Sequence, residues 1–334
     1  MLELNKIKNT IILGDSLEVL KTLPDESINS IITSPPYFNL RDYGVDGQIG
    51  LEKTYQEYIK KLVDVFNEAK RVLKKDGTCF INLGDSYGTI SGGMRAGTMG
   101  RFISDKAING QRFEQHKEIK FEKSLMMIPE RFAIEMIDNG WILRNKLVWV
   151  KPNAMPESVQ DRWKKAHEYI FFFVKNKKYY FNLDAIRTQH AEVSIKRAEY
   201  EQGRNALGIN PSSTGEKYKR DKSFRDGTEK YYSMPSRRVK LNDLGACPPD
   251  YLLVNTNCSE NDGSNEHYAT YPQKLIAPLI KAGSRERDII LDPFMGSGST
   301  AVIARFLSRD FIGIELNQSY IKVANKRLAQ KSLF

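Results

Sequence analysis

Apolar and polar positions switch between two periods along most of the chain. Thr10 to Leu13 reads as a short buried strand that stops at Gly14-Asp15, and a short helix follows, with Ser16 placed to cap it. Ile28 to Thr33 is a second apolar, β-branched run, ending at Ser34-Pro35-Pro36-Tyr37. From Thr54 to Lys74, Tyr55, Ile59, Leu62, Val63, Phe66, Ala69 and Leu73 recur at helical spacing, and Asp76-Gly77 then turns the chain into a strand from Thr78 to Leu83. Pro129 suits a first helical turn, and Asn139-Gly140 suits its end. Trp141 to Val150 and Glu168 to Val174 read as strands, separated by the polar segment 151–166. The last block is predicted as helix Pro272–Lys281, strand Asp288–Leu291, glycine loop Asp292–Thr300, helix Thr300–Leu307, strand Phe311–Ile314 and helix Ser319–Gln330. Alternating strands and helices imply a doubly wound α/β fold, its mostly parallel sheet covered on both faces.

Two stretches lack this pattern. Residues 84–120 hold Gly88, Gly92, Gly93, Gly97, Gly100 and Gly110 with little periodicity, which predicts a long mobile loop. The pattern fails again between about 185 and 262. Residues 185–240 carry 13 Lys and Arg against 7 Asp and Glu, a net of +6 within a chain whose total is +10. Tyr200, Tyr218, Tyr231 and Tyr232 are interleaved with these cations. Cations with aromatics among them suit a polyanionic partner such as nucleic acid.

Composition narrows the chemistry. Three cysteines cannot build a disulfide framework, no pair has zinc-ligand spacing, and the four histidines are scattered. A metal hydrolase and a disulfide-rich secreted protein are therefore not expected. The first residues mix Glu3, Lys6 and Lys8 with short apolar stretches, unlike a signal peptide, and the longest apolar run, Ile170–Val174, is too short to cross a bilayer. A cytoplasmic protein without a membrane partner is expected.

Ile289-Ile290-Leu291 runs directly into Asp292-Pro293-Phe294-Met295-Gly296-Ser297-Gly298-Ser299-Thr300. A strand that passes through closely spaced glycines into a helix is a nucleotide-type ligand site, because the backbone can approach the ligand and the helix start offers unpaired N–H groups. Glu315 lies 19 residues beyond Gly296, at the next strand tip, where an acid suits the two hydroxyls of a ribose. Asp292 would repel a pyrophosphate but can hold a cationic amino group. S-adenosylmethionine, with an adenosine, an ammonium, a sulfonium and no phosphate, fits this charge pattern better than NAD. In Ser34-Pro35-Pro36-Tyr37 the prolines remove two N–H donors and fix two φ angles, leaving rigid acceptors. Two acceptors, one per N–H, would draw an exocyclic amino nitrogen toward tetrahedral geometry and free its lone pair, while Tyr37 offers a face to an extruded base.

Together, Thr33-Ser34-Pro35-Pro36-Tyr37 upstream and Asp292-Pro293-Phe294-Met295-Gly296-Ser297-Gly298 downstream resemble the amino-methylating DNA methyltransferases of the β arrangement, in which the catalytic motif precedes the cofactor motif. Arg41-Asp42-Tyr43-Gly44, Asn82-Leu83-Gly84-Asp85-Ser86-Tyr87, Lys151-Pro152-Asn153-Ala154-Met155-Pro156-Glu157-Ser158, Ala166-His167-Glu168, His267-Tyr268-Ala269-Thr270-Tyr271-Pro272 and Gly313-Ile314-Glu315-Leu316-Asn317 fit the same family. The resemblance covers roughly 10–185 and 263–330. It implies a circularly permuted Rossmann-like methyltransferase fold with one antiparallel edge strand, a catalytic domain of residues 1–185 and 263–334, and a target-recognition region at 186–262.

Carried over residue by residue, the resemblance has Ser34, Pro35, Pro36 and Tyr37 hold and activate the target amino group. Asp292, Phe294, Gly296, Ser297 and Gly298 would line S-adenosylmethionine, Glu315 would bind its ribose, Asp15 would lie near its adenine, and Thr270 and Pro272 near its methionine end. No metal is expected. Ser-Pro-Pro-Tyr is the form usually associated with cytosine N4, and adenine N6 is the alternative target. An RNA or protein-amide methyltransferase, or a DNA-binding protein without turnover, are the remaining rivals; the basic stretch and the permuted order favour DNA, and the intact motifs favour catalysis. Double-stranded DNA is the expected partner, with a cognate restriction endonuclease and a monomer or homodimer compatible with the sequence.

Overall fold

A computed structural model of the protein describes residues 2–88, 123–206, 241–256 and 272–330. The chain divides into two compact units, Met1–Ala185 with Pro249–Phe334, and Ile186–Pro248. The first unit holds eight strands among its described residues: β1 (Thr10–Leu13), β2 (Ile28–Thr33), β3 (Leu73–Leu83), β4 (Ile142–Val150), β5 (His167–Val174), β6 (Tyr251–Leu253), β7 (Ile289–Asp292) and β8 (Asp310–Glu315). They form one sheet in the order β1-β8-β7-β2-β3-β5-β4-β6. All neighbours are parallel except where β5 meets β3 and β4.

Strict alternation sends successive strand residues to opposite cores, as a sheet covered on both faces requires. Ile31, Cys79, Ile81, Phe171, Phe173, Leu291 and Ile312 join one buried cluster. Ile32, Phe80, Ile170, Phe172, Ile290 and Phe311 join the other. The first is closed by helices α1 (Leu4–Ile7), α2 (Ser16–Thr22), α3 (Tyr55–Val72) and α4 (Ile128–Asp138). The second is closed by residues of α6 (Gln273–Gly283) and α7 (Ser299–Phe306), with α8 (Gln318–Ala329) beside them. Within the first core, Phe132 lies edge-on to both Phe66 and Phe173, with ring centroids 5.6 and 6.5 Å apart.

Side chains terminate the helices where the backbone leaves groups unpaired. The Thr54 hydroxyl accepts from the Glu57 N–H at the start of α3. At its other end Arg71 donates to the Leu20 and Leu23 carbonyls at the end of α2. Asp85 accepts from the Met127 and Ile128 N–H groups and so caps α4 across a gap of over forty residues.

Four local expectations change. Ser16 does not cap α2: Asp15 does, its Oδ1 accepting from Glu18 N at 3.1 Å, while the Ser16 hydroxyl reaches Pro293 O at 2.5 Å. Strand β3 starts at Leu73 rather than Thr78, with a register shift against β2 that absorbs the Asp76-Gly77 turn. The antiparallel strand lies inside the sheet, because β4 and the short β6 continue pairing beyond it. Strand β6 and helix α5 (Glu192–Ala206) fall in the stretch that shows no sequence pattern; a three-residue strand is too short to reveal a period. The 84–120 loop beyond residue 88 and Tyr218, Tyr231 and Tyr232 lie outside the described residues.

Phe132 is completely buried. Phe132→Ala is expected to lower unfolding free energy by about 3–5 kcal/mol, the usual cost of emptying an aromatic site. Urea titration followed by circular dichroism measures it, and a loss under about 1 kcal/mol would contradict this packing.

Candidate active site

Strands β7 and β2 are neighbours, but the chain winds outward from each in opposite directions, to β8 and to β3. A crevice forms outside the carboxyl ends of parallel strands at such a point. Here it is a cavity of about 500 Å³. Its walls come from the strand tips: Asp15 after β1, Ser34–Tyr37 after β2, Asn82 in β3, Lys151 after β4, Pro293–Ser297 after β7, and Glu315–Asn317 at the end of β8. Because β5 is antiparallel, its start rather than its end lies at this edge, and Glu168 enters the same wall.

The two motifs are joined beneath the cavity. Asp292 is 1% exposed. Its Oδ1 accepts from the Thr33 hydroxyl at 2.5 Å and from Phe294 N at 3.0 Å, and its Oδ2 accepts from the Thr300 hydroxyl at 2.6 Å. One carboxylate thus ties the residue before the Ser34 turn to both ends of the glycine loop. Burial pushes its carboxyl up to about 6, against the lowering effect of these hydrogen bonds. Neither Asp292 nor Gly298, both expected to line the cofactor, is among the cavity walls. Gly298 has φ +85°, and a Cβ there would stand 2.7 Å from the Ala324 Cβ, so the turn into α7 requires glycine.

On the other side of the turn lies a cluster that the motifs alone do not announce. The Tyr37 hydroxyl donates to Glu168 Oε2 at 2.7 Å. Asn82 Nδ2 donates to Tyr37 Oη at 2.7 Å and to Glu168 Oε2 at 2.9 Å, and Lys151 Nζ is ion-paired with Glu168 Oε1. Ser34 Oγ stands 3.5 Å from Tyr37 Oη. Burial raises the Glu168 carboxyl, but Lys151 and the hydrogen bonds from Lys151, Tyr37 and Asn82 outweigh it and hold the group below its ordinary value. Burial first, and then the Glu168 charge, push the Tyr37 phenol well above its usual value. Gly84 lies against the tyrosine ring: a Cβ there would be 2.6 Å from Tyr37 Cε2. The Pro36 carbonyl accepts from the Tyr58 hydroxyl at 2.8 Å, which leaves Ser34 Oγ and the Ser34 and Pro35 carbonyls as the turn's acceptors for a ligand.

At the opposite end, Glu315 accepts from Gly296 N at 2.7 Å and Asn317 N at 2.8 Å, and burial raises its carboxyl. Phe294, Tyr43 and Tyr320 give this end apolar walls, the two tyrosines edge to face at 6.0 Å. Of the expected site residues, Asp15, Ser34, Pro35, Pro36, Tyr37, Phe294, Gly296, Ser297 and Glu315 share this one cavity. Pro272 is the N-cap of α6 and is not a wall residue, and Thr270 lies outside the described residues. Asn82, Lys151 and Glu168 stand in segments that fit the family pattern, but the sequence assigned them no role in the site; the structure places all three in its wall. The sequence signals for Glu168 were the Ala166-His167-Glu168 segment and a charge inside the start of an otherwise apolar strand.

A family model described as DNA methylase matches residues 28–326. The type II methyltransferase M.Cfr9I of Citrobacter freundii is 37% identical over 327 residues, which cover 98% of this chain and 89% of that relative. The chain belongs to the DNA methylase family. The fold is shared with the solved PvuII DNA methyltransferase (cytosine-N4-specific), at TM-score 0.61 and 19% identity over 97% of this chain and 87% of that one. It is also shared with TTHA0409 of Thermus thermophilus, solved complexed with S-adenosyl-L-methionine, at TM-score 0.52 and 18% identity over 96% of this chain and 93% of that one. This methylase is accordingly an S-adenosylmethionine-dependent amino-methyltransferase of DNA. Among the described residues, no helix is long and apolar enough to cross a membrane, and no group of His, Cys, Asp and Glu side chains could hold a metal ion.

The knot at Asp292 has a pH signature. Its carboxyl rises from 3.8 to about 6 on folding, so its contribution to stability is complete below about 3.8, is lost as pH rises through about 6, and is level above. In Asp292→Asn this contribution is absent. The wild-type minus variant difference in unfolding free energy is expected to fall by roughly 2–3 kcal/mol between pH 4 and pH 7, measured by urea titration across that range. A difference that does not change with pH would contradict a raised Asp292.

Proposed function

We propose that this methylase modifies the N4 amino group of cytosine at a specific site in duplex DNA. The observation that carries the reading is the neutral Ser34 hydroxyl at the first position of the turn, facing the cavity in place of a carboxylate. The PvuII methyltransferase, which shares the fold, is named as cytosine-N4-specific, and that supports the same target. The target base leaves the duplex to reach the cavity. The sulfonium makes the transferred methyl electrophilic, so the protein's task is alignment and acceptor placement. Ser34 Oγ and the Pro35 carbonyl accept hydrogen bonds from the two amino N–H groups, and Tyr37 borders the base. Phe294, Gly296, Ser297 and Glu315 hold the cofactor, Glu315 through the ribose hydroxyls, and Asp15 lies near the adenine. Asp292 acts from beneath by holding the loop's shape.

The basic stretch at residues 185–240, within the proposed recognition region 186–262, would track the phosphates and choose the site, its net charge giving a steep loss of affinity with salt. Since M.Cfr9I is a type II methyltransferase, a restriction endonuclease of the same specificity is the natural partner.

The target is tested by incubating the protein with tritiated S-adenosylmethionine and PCR-amplified, hence unmethylated, bacterial genomic DNA. Nucleoside analysis is expected to find the label in N4-methyldeoxycytidine, and label in N6-methyldeoxyadenosine would assign adenine instead. Glu315→Ala is expected to weaken cofactor binding by roughly 1–3 kcal/mol, because it leaves ribose hydroxyls without their acceptor. Calorimetry showing unchanged affinity would remove the ribose assignment.

A further inference from the structure

Every acceptor in the Ser34 turn is uncharged, yet the amino nitrogen becomes positive as it takes the methyl and must then lose a proton. The cavity wall holds one carboxylate joined to that turn by hydrogen bonds, Glu168. From Ser34 Oγ the path runs 3.5 Å to Tyr37 Oη and 2.7 Å on to Glu168 Oε2, and each link is a hydroxyl that can accept one proton while passing on another. Asn82 braces it: its Nδ2 donates to Tyr37 Oη and Glu168 Oε2, and it lies 3.4 Å from Ser34 Oγ. Asn82 Oδ1 is buried and has no hydrogen-bond partner, a further acceptor beside the same path.

We propose that Glu168 is the proton acceptor of the methyl transfer, working through the Ser34 and Tyr37 hydroxyls, and that Lys151 keeps it charged for that task. As the bond from the sulfonium to the methyl breaks and the bond from the amino nitrogen to the methyl forms, one amino proton passes to Ser34 Oγ. The Ser34 proton passes to Tyr37 Oη, and the Tyr37 proton passes to Glu168 Oε2. Ser34 and Tyr37 end neutral, the methylated amine ends neutral, and Glu168 carries one proton, later released to solvent. Before transfer, the same carboxylate polarises both hydroxyls, which makes Ser34 Oγ a stronger acceptor as positive charge grows on the nitrogen. The phenol need not ionise: its high pKa disfavours tyrosinate and suits a link that gives and receives a proton together.

The groups facing Glu168 fix the sign of a pH test. Lys151 stands in contact after β4, Lys165 acts on it from the segment before β5, and Tyr37 faces it from the β2 turn. Removing the Lys151 charge lets the Glu168 carboxyl rise, so the acid limb of the transfer rate must move to higher pH.

The inference rests on the reading that the Ser34 turn holds the amino group, and the variants separate the two. Single-turnover transfer is measured with enzyme in excess over PCR-amplified bacterial genomic DNA, from pH 4 to 9 so that the range reaches below the ordinary carboxyl value, alongside calorimetry for S-adenosylmethionine. Glu168→Gln, which keeps the shape and an acceptor for Tyr37, is expected to slow transfer by about 100-fold with cofactor affinity within about twofold. Tyr37→Phe is expected to slow it similarly. Lys151→Met is expected to shift the acid limb up by about one unit or more, a change that a merely structural contact would not produce. Should Glu168→Gln lose cofactor binding through misfolding, the Lys151→Met limb still decides. Wild-type rates in Glu168→Gln, or an unmoved limb in Lys151→Met, overturn the relay while a slow Ser34→Ala preserves the reading of the turn. Wild-type rates in Ser34→Ala and Tyr37→Phe overturn both.

Discussion

The buried Asp292 carboxylate is the constraint on which the site depends. It lies at the end of β7, where the chain must leave the sheet, and all its hydrogen bonds go to the two motifs: the Thr33 hydroxyl, the Phe294 N–H and the Thr300 hydroxyl. A carboxylate in such a place is costly unless its oxygens are satisfied, and its raised pKa records the part of that cost which remains. What it secures is relative position. The Ser34 turn and the glycine loop, proposed to meet the base and the cofactor, are over 250 residues apart in sequence, and an in-line transfer tolerates little error in the distance between them.

The sheet order makes that contact possible. Pairing of β2 with β7 brings Ser30 and Ile31 opposite Ile290 and Leu291, so Thr33 arrives beside Asp292. The Ser16 hydroxyl on Pro293 O draws the start of α2 to the same point. Permutation of the motif order does not disturb this, because the strands meet through the sheet and not through the connections between them.

Beyond the turn, the antiparallel β5 supplies what no parallel strand could at that place, namely its own beginning. Glu168 is the second residue of the strand, and it reaches the cavity edge because β5 runs against β3 and β4. Lys151, just past the end of β4, meets it from the neighbouring strand. A buried ion pair of this kind is weak as a source of stability, but it holds a negative charge in the cavity wall, beside the Ser34 turn.

The sequence by itself determined the alternation of strands and helices, the strand-to-loop junctions at Ser34 and Asp292, the acid at Glu315 and the family resemblance. Each is local: a period, a proline pair, a glycine spacing or an acid at a strand tip can be read from neighbouring residues. Only the tertiary structure decided that Asp292 lies beneath the cavity instead of in its wall, that Asp15 caps α2 in place of Ser16, and that Asn82, Lys151 and Glu168 gather around Tyr37. These roles depend on which strands are neighbours, on the direction of β5 and on which carboxylate oxygens are already taken. Such facts join residues far apart in the chain, and sequence spacing carries no trace of them.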